Sequence, residues 1–162
     1  MSKAKDKTNV MRILDKASLH YIAHEYEHQD GVIDGVSVAK KMGQDPDHVF
    51  KTLICKGHSG QYCVFVIPVK CVLDLKKAAK SVGEKSVEMI PVSAINSVTG
   101  YIRGGCSPIG MKKRYPTIFD KSCQEIDSII VSAGKIGYQI EMVPALLIDF
   151  IHAAVFDITK DH

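Results

Sequence analysis

Two neighbouring β-rich segments in the first half of the chain constrain the fold most strongly. Residues 50–56 and 61–69 are rich in β-branched and other apolar side chains, and the sequence Gly-His-Ser-Gly separates them at 57–60. Four residues of this composition suit the connection of a β-hairpin. The segments are therefore predicted to form an antiparallel hairpin that supplies two strands to the core.

Helix and strand signals alternate irregularly in the rest of the chain, without the regular βαβ order of a doubly wound parallel sheet. Asn9 is predicted to cap a first helix, Gly43 to end a second helix over 36–42, and Asp45-Pro46 to begin a short third one. Further helices are predicted over 74–82, 92–96 and 144–152. Further strands are predicted over 21–28, 86–90, 117–120, 128–132, 138–143 and 155–158. The expected fold is a single mixed α/β domain with a largely antiparallel, barrel-like sheet flanked by helices.

Composition narrows the class of protein. A length of 162 residues suits one domain, and a net charge of +3 is too small to indicate nucleic-acid binding, so any RNA contact must rest on local clusters. The five cysteines lack C-x-x-C spacing, which favours free thiols in a reducing compartment. Residues 1–7 are polar and precede no apolar segment, and no apolar run approaches the roughly 20 residues of a membrane span. A cytoplasmic protein is expected, with residues 1–8 as a disordered or extended tail.

Residues 24–28 read His-Glu-Tyr-Glu-His and match the H-E-x-x-H pattern of zinc peptidases. That chemistry requires a helix, which places His24 and His28 one turn apart and leaves Glu25 as the general base. The surrounding aromatic residues and alternating polarity favour a strand instead, on which the two histidines stand roughly 13 Å apart. No metal site and no cofactor are therefore predicted, and a zinc peptidase is the least favoured alternative.

A second motif, from Gly105 to Gly110, has the two glycines of a phosphate-binding P-loop. Met111 takes the place of the required lysine and Lys113 that of the serine or threonine, so nucleotide hydrolysis is not expected. Two interpretations of this loop remain. Its glycines either let backbone amides approach a ligand closely or only make turns.

Several segments together resemble the YbaK/ProX/EbsC family, whose members are aminoacyl-tRNA deacylases and whose fold also occurs as the editing insertion of bacterial prolyl-tRNA synthetases. The segments are residues 24–28, 49–53, 75–80, 87–89, 99–110, 112–114 and 132–135. The most specific is the glycine loop 104–110 ahead of Lys-Lys-Arg. The resemblance extends over about residues 9–158, so residues 9–162 are identified as one deacylase domain. It is greatest to the free-standing YbaK branch, which acts on cysteine attached to proline tRNA.

The resemblance implies roles for individual residues. Lys51 matches the essential lysine of the family, and Gly104 matches the glycine whose main chain shapes the catalytic pocket. The residues expected to contact the substrate are Tyr26, Thr52, Gly105, Cys106, Ser107, Ser132 and Lys135. The residues expected to contact phosphates of the tRNA acceptor end are Arg103, Lys112, Lys113 and Arg114.

These positions also have structural interpretations. Lys51 begins an apolar strand, where a lysine is costly to bury unless it meets an anion, and from the strand end it could also reach solvent. Tyr26 could be a half-buried strand aromatic, while Thr52 and Ser132 could bond local backbone groups. The basic run 112–114 could be an ordinary solvated surface.

The sequence departs from the family pattern on two sides of the expected pocket. Many relatives place an aromatic residue before the glycine matched by Gly35, whereas this chain has Asp34. Relatives often have two glycines after the serine matched by Ser132, whereas Ala133 fills the first of these positions here. Deacylation is therefore a firmer expectation than a preference for cysteine over alanine.

The chemistry implied by the resemblance is editing. A synthetase pocket separates small side chains by only about 1–3 kcal/mol, so a second sieve is needed. The family is thought to use the thiol of the bound cysteine to attack its own ester and release a cyclic thiolactone. Lys51 then holds the substrate by charge, and amides of Gly104–Cys106 stabilise the oxyanion. Cys106 is a candidate nucleophile by its place in the loop, although cysteines are commonly buried and inert.

The expected function is trans-editing of Cys-tRNA(Pro), with the aminoacylated acceptor end as partner and prolyl-tRNA synthetase as a second one. The first alternative is a deacylase for alanine or another small amino acid. The second is a non-catalytic module that binds tRNA or a synthetase.

Overall fold

The computed structural model describes residues 7–160, and over this range the mixed α/β class is confirmed. The helices are α1 Asn9–Lys16, α2 Gly35–Met42, α3 Leu75–Ser81, α4 Ile95–Thr99 and α5 Pro144–Phe150. The strands are β1 Ile22–Glu25, β2 Phe50–Gly57, β3 Tyr62–Pro68, β4 Val87–Met89, β5 Thr117–Asp120, β6 Ile129–Ser132, β7 Tyr138–Met142 and β8 Ala154–Phe156. Two 3-10 helices, Val92–Ala94 and Lys121–Glu125, complete the regular structure. Within the described part of the chain, no helix has the length and apolar character needed to cross a bilayer.

The strands form two sheets. A five-stranded mixed sheet has the order β4-β2-β3-β5-β8, and a three-stranded antiparallel sheet has the order β1-β7-β6. The sheets meet at a parallel bridge between Val49 and Ile130. The predicted barrel-like sheet is therefore wrong in one respect: the strands do not close into a barrel, because β2 and β6 pair only at this bridge.

The predicted hairpin is confirmed, with Phe50 opposite Pro68 and Lys56 opposite Tyr62. Side chains of β3 alternate between two apolar clusters. Val64 and Val66 join the larger cluster with α1, α5 and the three-stranded sheet. Phe65 and Ile67 join the second cluster with α3. A sheet that is covered on both faces requires apolar residues at successive positions, which explains the uninterrupted apolar run in this strand.

The helix ends differ in detail from the prediction. Thr8, rather than Asn9, caps α1, because its Oγ1 accepts from the Met11 N–H at 3.2 Å. Thr8 is also buried, so the described end of the predicted tail belongs to the fold, while residues 1–6 lie outside the described residues. The predicted stop of α2 is confirmed: Gly43 adopts a left-handed φ of 67°.

The short third helix predicted at Asp45-Pro46 is wrong. The chain there makes two successive turns, in which His48 N–H donates to the Asp45 carbonyl and Val49 N–H to the Pro46 carbonyl. The side chain of Asp45 accepts from Asp47 N–H. Because Val49 already pairs with β6, too few residues remain for a helix between α2 and the sheet.

Core packing around β3 yields a stability prediction. Phe65 is fully buried, and truncation of a buried phenylalanine costs about 3–5 kcal/mol. We expect Phe65→Ala to lower the free energy of unfolding by about this amount in urea titrations. Phe156→Ala is the control, because this side chain is 47% exposed and is expected to lose less than about 1 kcal/mol. Equal losses for the two variants would contradict the packing described.

Candidate active site

A cavity that brings together most of the predicted site residues lies in a gap along one edge of β2. At the start of the strand this edge pairs with β6 through Val49 and Ile130, and at its end it pairs with β4 from Cys55 onward. Between these two contacts, residues 51–53 have a partner strand only on the β3 side. The gap exists because β6 pairs with one end of this edge and β4 pairs with the other, which leaves the middle of the edge without a partner.

The cavity has a volume of about 770 Å³, which is in the range of small-molecule sites. Six parts of the chain line it: the segment between β1 and α2, the start of α2, β2 with the residue before it, the residue after β3, the glycine loop and the β6–β7 pair. The lining residues are Tyr26, Gly31, Ile33, Asp34, Gly35, Val36, Val38, Val49, Phe50, Lys51, Thr52, Leu53, Val69, Arg103, Gly104, Cys106, Val131, Ser132, Tyr138 and Gln139.

Lys51 is half-buried on the β2 wall of this cavity. Among the described residues its ammonium makes no hydrogen bond or ion pair. Desolvation lowers the pKa of Lys51 from its usual value, and the nearby Cys71 thiol acts weakly in the opposite direction. A partly desolvated cation without a counter-charge is unfavourable in the empty cavity, so an anionic or electron-rich ligand group is the partner that would stabilise it.

Thr52 offers further unused polar groups, in its side chain and in its main chain. Its Oγ1 is buried and has no hydrogen-bond partner within residues 7–160. Val69 N–H donates to the Val49 carbonyl, so odd-numbered residues of β2 bond to β3. The main-chain groups of even-numbered residues point to the other edge of β2, where the Ile90 N–H donates to the Ile54 carbonyl. The main chain of Thr52 therefore faces the gap.

The glycine loop forms another part of the cavity wall through Gly104 and Cys106. Gly104 has a φ of 87°, and a Cβ there would lie 3.0 Å from Ile33 Cδ1. A Cβ on Gly105 would lie 3.1 Å from the Ile136 nitrogen, so the loop backbone packs directly on the β6–β7 turn. The Gly105 N–H donates to the Ile102 carbonyl, whereas within residues 7–160 the N–H groups of Gly104 and Cys106 donate no hydrogen bond. These two amides are the candidate oxyanion donors.

Two residues predicted to contact the substrate have structural positions instead. Ser107 is fully buried, and its Oγ accepts from Ile109 N–H at 3.3 Å, so it does not line the cavity. Gly105 is also absent from the lining, because its role is the close approach to the β6–β7 turn. The resemblance predicted both residues as substrate contacts, because sequence alone does not separate the two faces of an irregular loop.

Tyr26 and Ser132 line the cavity from the three-stranded sheet. The Tyr26 N–H donates to the Gly137 carbonyl at 2.8 Å, and the Ser132 hydroxyl accepts from Gly134 N–H at 3.2 Å. Lys135 is exposed in the same turn and does not line the cavity. Its ammonium lies over the ring of Tyr138, 5.4 Å from the centroid, and Tyr138 does line the cavity.

The basic residues divide into two groups. Arg103 is exposed and lies on the cavity rim. Lys112 is turned away and donates to the Ser97 carbonyl at 3.1 Å. Lys113 and Arg114 border a separate depression of about 290 Å³ beside Phe150.

The H-E-x-x-H segment does not have the geometry of a zinc peptidase. His24 lies on β1 opposite Gln139, and its Nε2 is 2.8 Å from Glu141 Oε1, while His28 lies beyond the end of the strand. Glu141 also accepts from Ser128, and these hydrogen bonds lower its pKa. Within residues 7–160 no group of three potential metal ligands is assembled.

Sequence reasoning did not identify three polar residues of the cavity. Asp34 caps α2 through the Ser37 N–H, and Tyr138 and Gln139 begin β7. Gln139 is buried, and its Oε1 accepts from Gln44 Nε2 at 2.9 Å, which ties β7 to the segment after α2. For Gln139, the signal in the sequence was a glutamine close to the glycine turn.

The wedged position of Gly104 yields a stability prediction. Gly100 has the same φ of 87°, but a Cβ there meets nothing closer than 3.9 Å. Alanine at either position incurs left-handed strain of about 1–2 kcal/mol. Gly104→Ala is expected to lose about 1 kcal/mol more in urea titrations, because its methyl group crowds Ile33. Equal losses would mean that the loop does not pack tightly there.

Burial of Cys106 yields a pH prediction. Desolvation raises the pKa of its thiol to about 11, with a hydrogen bond to Thr99 acting in the opposite direction. Because the thiolate is the reactive form, alkylation of Cys106 by iodoacetamide should be slow at neutral pH and keep accelerating up to about pH 11. Peptide mass spectrometry measures this rate. A plateau near pH 8 would restore Cys106 as a nucleophile.

Comparisons with known proteins give this geometry a family. Residues 33–150 match the model of the aminoacyl-tRNA editing domain. EbsC of Enterococcus faecalis, named as a candidate Cys-tRNA(Pro)/Cys-tRNA(Cys) deacylase, is 41% identical over 157 residues, which cover 97% of this chain and 96% of that protein.

Solved structures agree on the fold. The hypothetical protein APE2540 has a TM-score of 0.85 at 20% identity, over 94% of this chain and 100% of that one. A candidate trans-editing enzyme for prolyl-tRNA synthetase has a TM-score of 0.80 at 21% identity, over 94% of this chain and 95% of that one. The family model and the relative in Enterococcus establish that the chain belongs to the aminoacyl-tRNA editing domain family, within the YbaK/EbsC group.

Proposed function

We propose that this protein is a trans-editing deacylase that releases cysteine from wrongly charged proline tRNA. The observation that supports it best is the convergence of Lys51, Thr52 and the Gly104 main chain on one cavity. The name of the EbsC relative, at 41% identity, supports the cysteine ester as substrate. The candidate trans-editing enzyme among the similar structures suggests prolyl-tRNA synthetase as a partner.

The cavity suits the end of a charged tRNA in size and polarity. Its volume of about 770 Å³ leaves room for a small aminoacyl group together with part of the terminal nucleoside. Lys51 and Arg103 supply positive charge for a polyanion, and the unpaired groups of Thr52 supply hydrogen bonds. We assign the contacts with acceptor-end phosphates to Arg103 and to the run Lys112–Arg114, all of which are exposed.

The proposed reaction uses the substrate's own thiol. The cysteinyl sulfur attacks the carbonyl carbon of its ester, a carbon–sulfur bond forms, and the bond from carbon to the ribose oxygen breaks. The thiol proton passes to the ribose oxygen, and the amino acid leaves as a cyclic thiolactone, so the balance requires no other reactant. The neutral, high-pKa thiol of Cys106 fits this scheme, because no protein nucleophile is needed.

The protein contributes position and charge. Amides of Gly104 and Cys106 donate to the oxyanion that develops on the carbonyl oxygen. Lys51 stabilises the same negative charge through its ammonium and takes no proton. Because the ammonium is already partly desolvated, its interaction with the developing charge is stronger than it would be in water.

A deacylase for alanine is the second candidate, and it is favoured by one feature. Among the lining residues no group is specific for a sulfur atom, so the cavity does not by itself require a cysteinyl substrate. In the thiol mechanism only cysteine reacts quickly, whereas an enzyme that activates water also releases alanine and serine.

Purified protein should therefore be assayed with cysteine, alanine, serine and proline on proline tRNA. Release of alanine at the rate of cysteine would reject the thiol mechanism.

Lys51 provides the sharpest mutational test. Lys51→Met keeps the length and removes the charge, and we expect release of cysteine to fall at least about 100-fold because charge stabilisation is lost. The melting temperature should stay the same or rise, since an unpaired, half-buried ammonium is removed.

The matched control is Lys56→Met on the same strand. Lys56 is exposed, with its ammonium 5.9 Å from the centroid of the Tyr62 ring. This variant should keep activity within about twofold, because surface charges outside the site contribute little. Full activity of Lys51→Met would remove Lys51 from the mechanism.

A further inference from the structure

Among the described residues that line the cavity, one carries a carboxylate, and the proposed reaction does not use this group. It belongs to Asp34, at the start of α2. The other titratable groups of the lining are the cations Lys51 and Arg103, the thiol of Cys106 and two tyrosines. Negative charge is therefore confined to one point of the wall.

Asp34 is held in place and remains ionised. Its Oδ2 accepts from Ser37 N–H at 3.0 Å, and its main-chain carbonyl accepts from Val38 N–H at 3.0 Å. The hydrogen bond from the Ser37 backbone, with one from the Ser37 side chain, lowers the pKa of Asp34 below its usual value. Within residues 7–160 no cation pairs with this carboxylate. The capping interaction fixes the side chain, and the charge stays available.

Lys51 and Asp34 line the same cavity without forming an ion pair with each other. Lys51 lies on β2, and Asp34 lies on the α2 wall. A ligand that satisfies both must present an electron-rich group to the lysine and a cationic group to the aspartate.

An aminoacyl ester has this arrangement of charge. Its carbonyl becomes negative during reaction, and its α-ammonium lies on the neighbouring carbon. The ammonium cannot bind beside Lys51 or Arg103, because like charges repel. Asp34 is the lining group with the opposite charge.

We infer that Asp34 binds the α-ammonium of the aminoacyl group and thereby selects substrates with a free amino terminus. The inference rests on the proposed function and extends it by assigning a specificity residue. Acylated amino acids, such as formylated or peptidyl esters, lose the cation and are discriminated against. Asp34 thus separates aminoacyl-tRNA, which has a free α-ammonium, from formylated initiator tRNA and peptidyl-tRNA.

The test uses ligands that cannot be cleaved, so that binding is measured independently of turnover. One ligand is cysteine joined by an amide to 3′-amino-3′-deoxyadenosine, and the second is the same molecule acetylated on the α-nitrogen. Titration calorimetry at pH 6.5 gives both affinities. Wild-type protein is expected to bind the free-amine ligand roughly tenfold more tightly than the acetylated one, a difference of about 1.4 kcal/mol, because acetylation removes the charge that pairs with Asp34.

Asp34→Asn is the informative variant, because asparagine caps helices about as well as aspartate but lacks the charge. It is expected to lose most of the tenfold preference, with little change in affinity for the acetylated ligand. Asp74→Asn is the matched control. Asp74 caps α3 through the N–H groups of Lys76 and Lys77 and lies outside the cavity, so the preference should be unchanged.

The outcomes separate the two proposals. An unchanged preference in Asp34→Asn, or an equal loss for both ligands, overturns the role of Asp34. Absence of a preference in the wild-type protein does the same. If the wild type binds with the expected preference but releases no amino acid from charged tRNA, the proposed function fails and the inference about Asp34 stands.

In steady-state assays of an active enzyme, Asp34→Asn should raise KM for charged tRNA about tenfold and leave kcat within about threefold. This split distinguishes a binding role from a structural one, since a misfolded site lowers kcat as well. Equal melting temperatures of the wild type and Asp34→Asn complete the comparison.

Discussion

A strand inside a sheet normally has a neighbour on each edge, and β2 lacks one over residues 51–53. The bridge between Val49 and Ile130 occupies the start of this edge, and β4 occupies its end. Neither neighbour can extend into the gap, because β6 turns away at Ser132 and β4 is only three residues long. Unpaired backbone groups inside a fold are costly, so a ligand that bonds to the Thr52 main chain completes the sheet edge.

The charges of the cavity follow from the same geometry. Lys51 lies in the gap, where it is partly desolvated and has no counter-charge in the described chain. An apolar residue would serve the fold better at this position, so the lysine is best understood as a group whose favourable interaction is with substrate. Gly104 lines the same cavity at a φ of 87°, and a Cβ at this position would crowd Ile33 and Ile136. A tightly packed glycine loop and an unsatisfied cation in one cavity suit electrostatic stabilisation of a developing negative charge.

Local sequence patterns predicted the regular elements that local forces determine. The apolar runs on either side of residues 57–60 predicted the hairpin, and Gly43 predicted the end of α2. The cap of α1 was misplaced by one residue because Thr8 and Asn9 are both good capping residues, and only the hydrogen bond to Met11 distinguishes them. The turns at residues 45–49 were predicted as a helix because Asp-Pro begins both structures.

The family resemblance indicated which residues lie together around the cavity, whereas local sequence patterns did not. Lys51, Thr52, Tyr26, Ser132, Gly104, Arg103 and Cys106 line one cavity, as the resemblance implied, whereas their chemical roles remain predictions. Ser107 could not be excluded in advance, because the two faces of an irregular loop have no periodicity. Asp34 could not be placed either: whether a helix cap faces solvent or a cavity depends on where α2 packs, and this is a tertiary property.

The central claim is that the gap along β2 receives the aminoacyl end of tRNA. Amide hydrogen exchange measures this directly, with ¹⁵N-labelled protein and a proline tRNA acceptor minihelix that bears cysteine through a stable 3′-amide. The account predicts that the amides of Thr52, Gly104 and Cys106 become protected when the minihelix binds. Protection confined to the depression beside Lys113 and Arg114, with exchange at Thr52 and Gly104 unchanged, would contradict it.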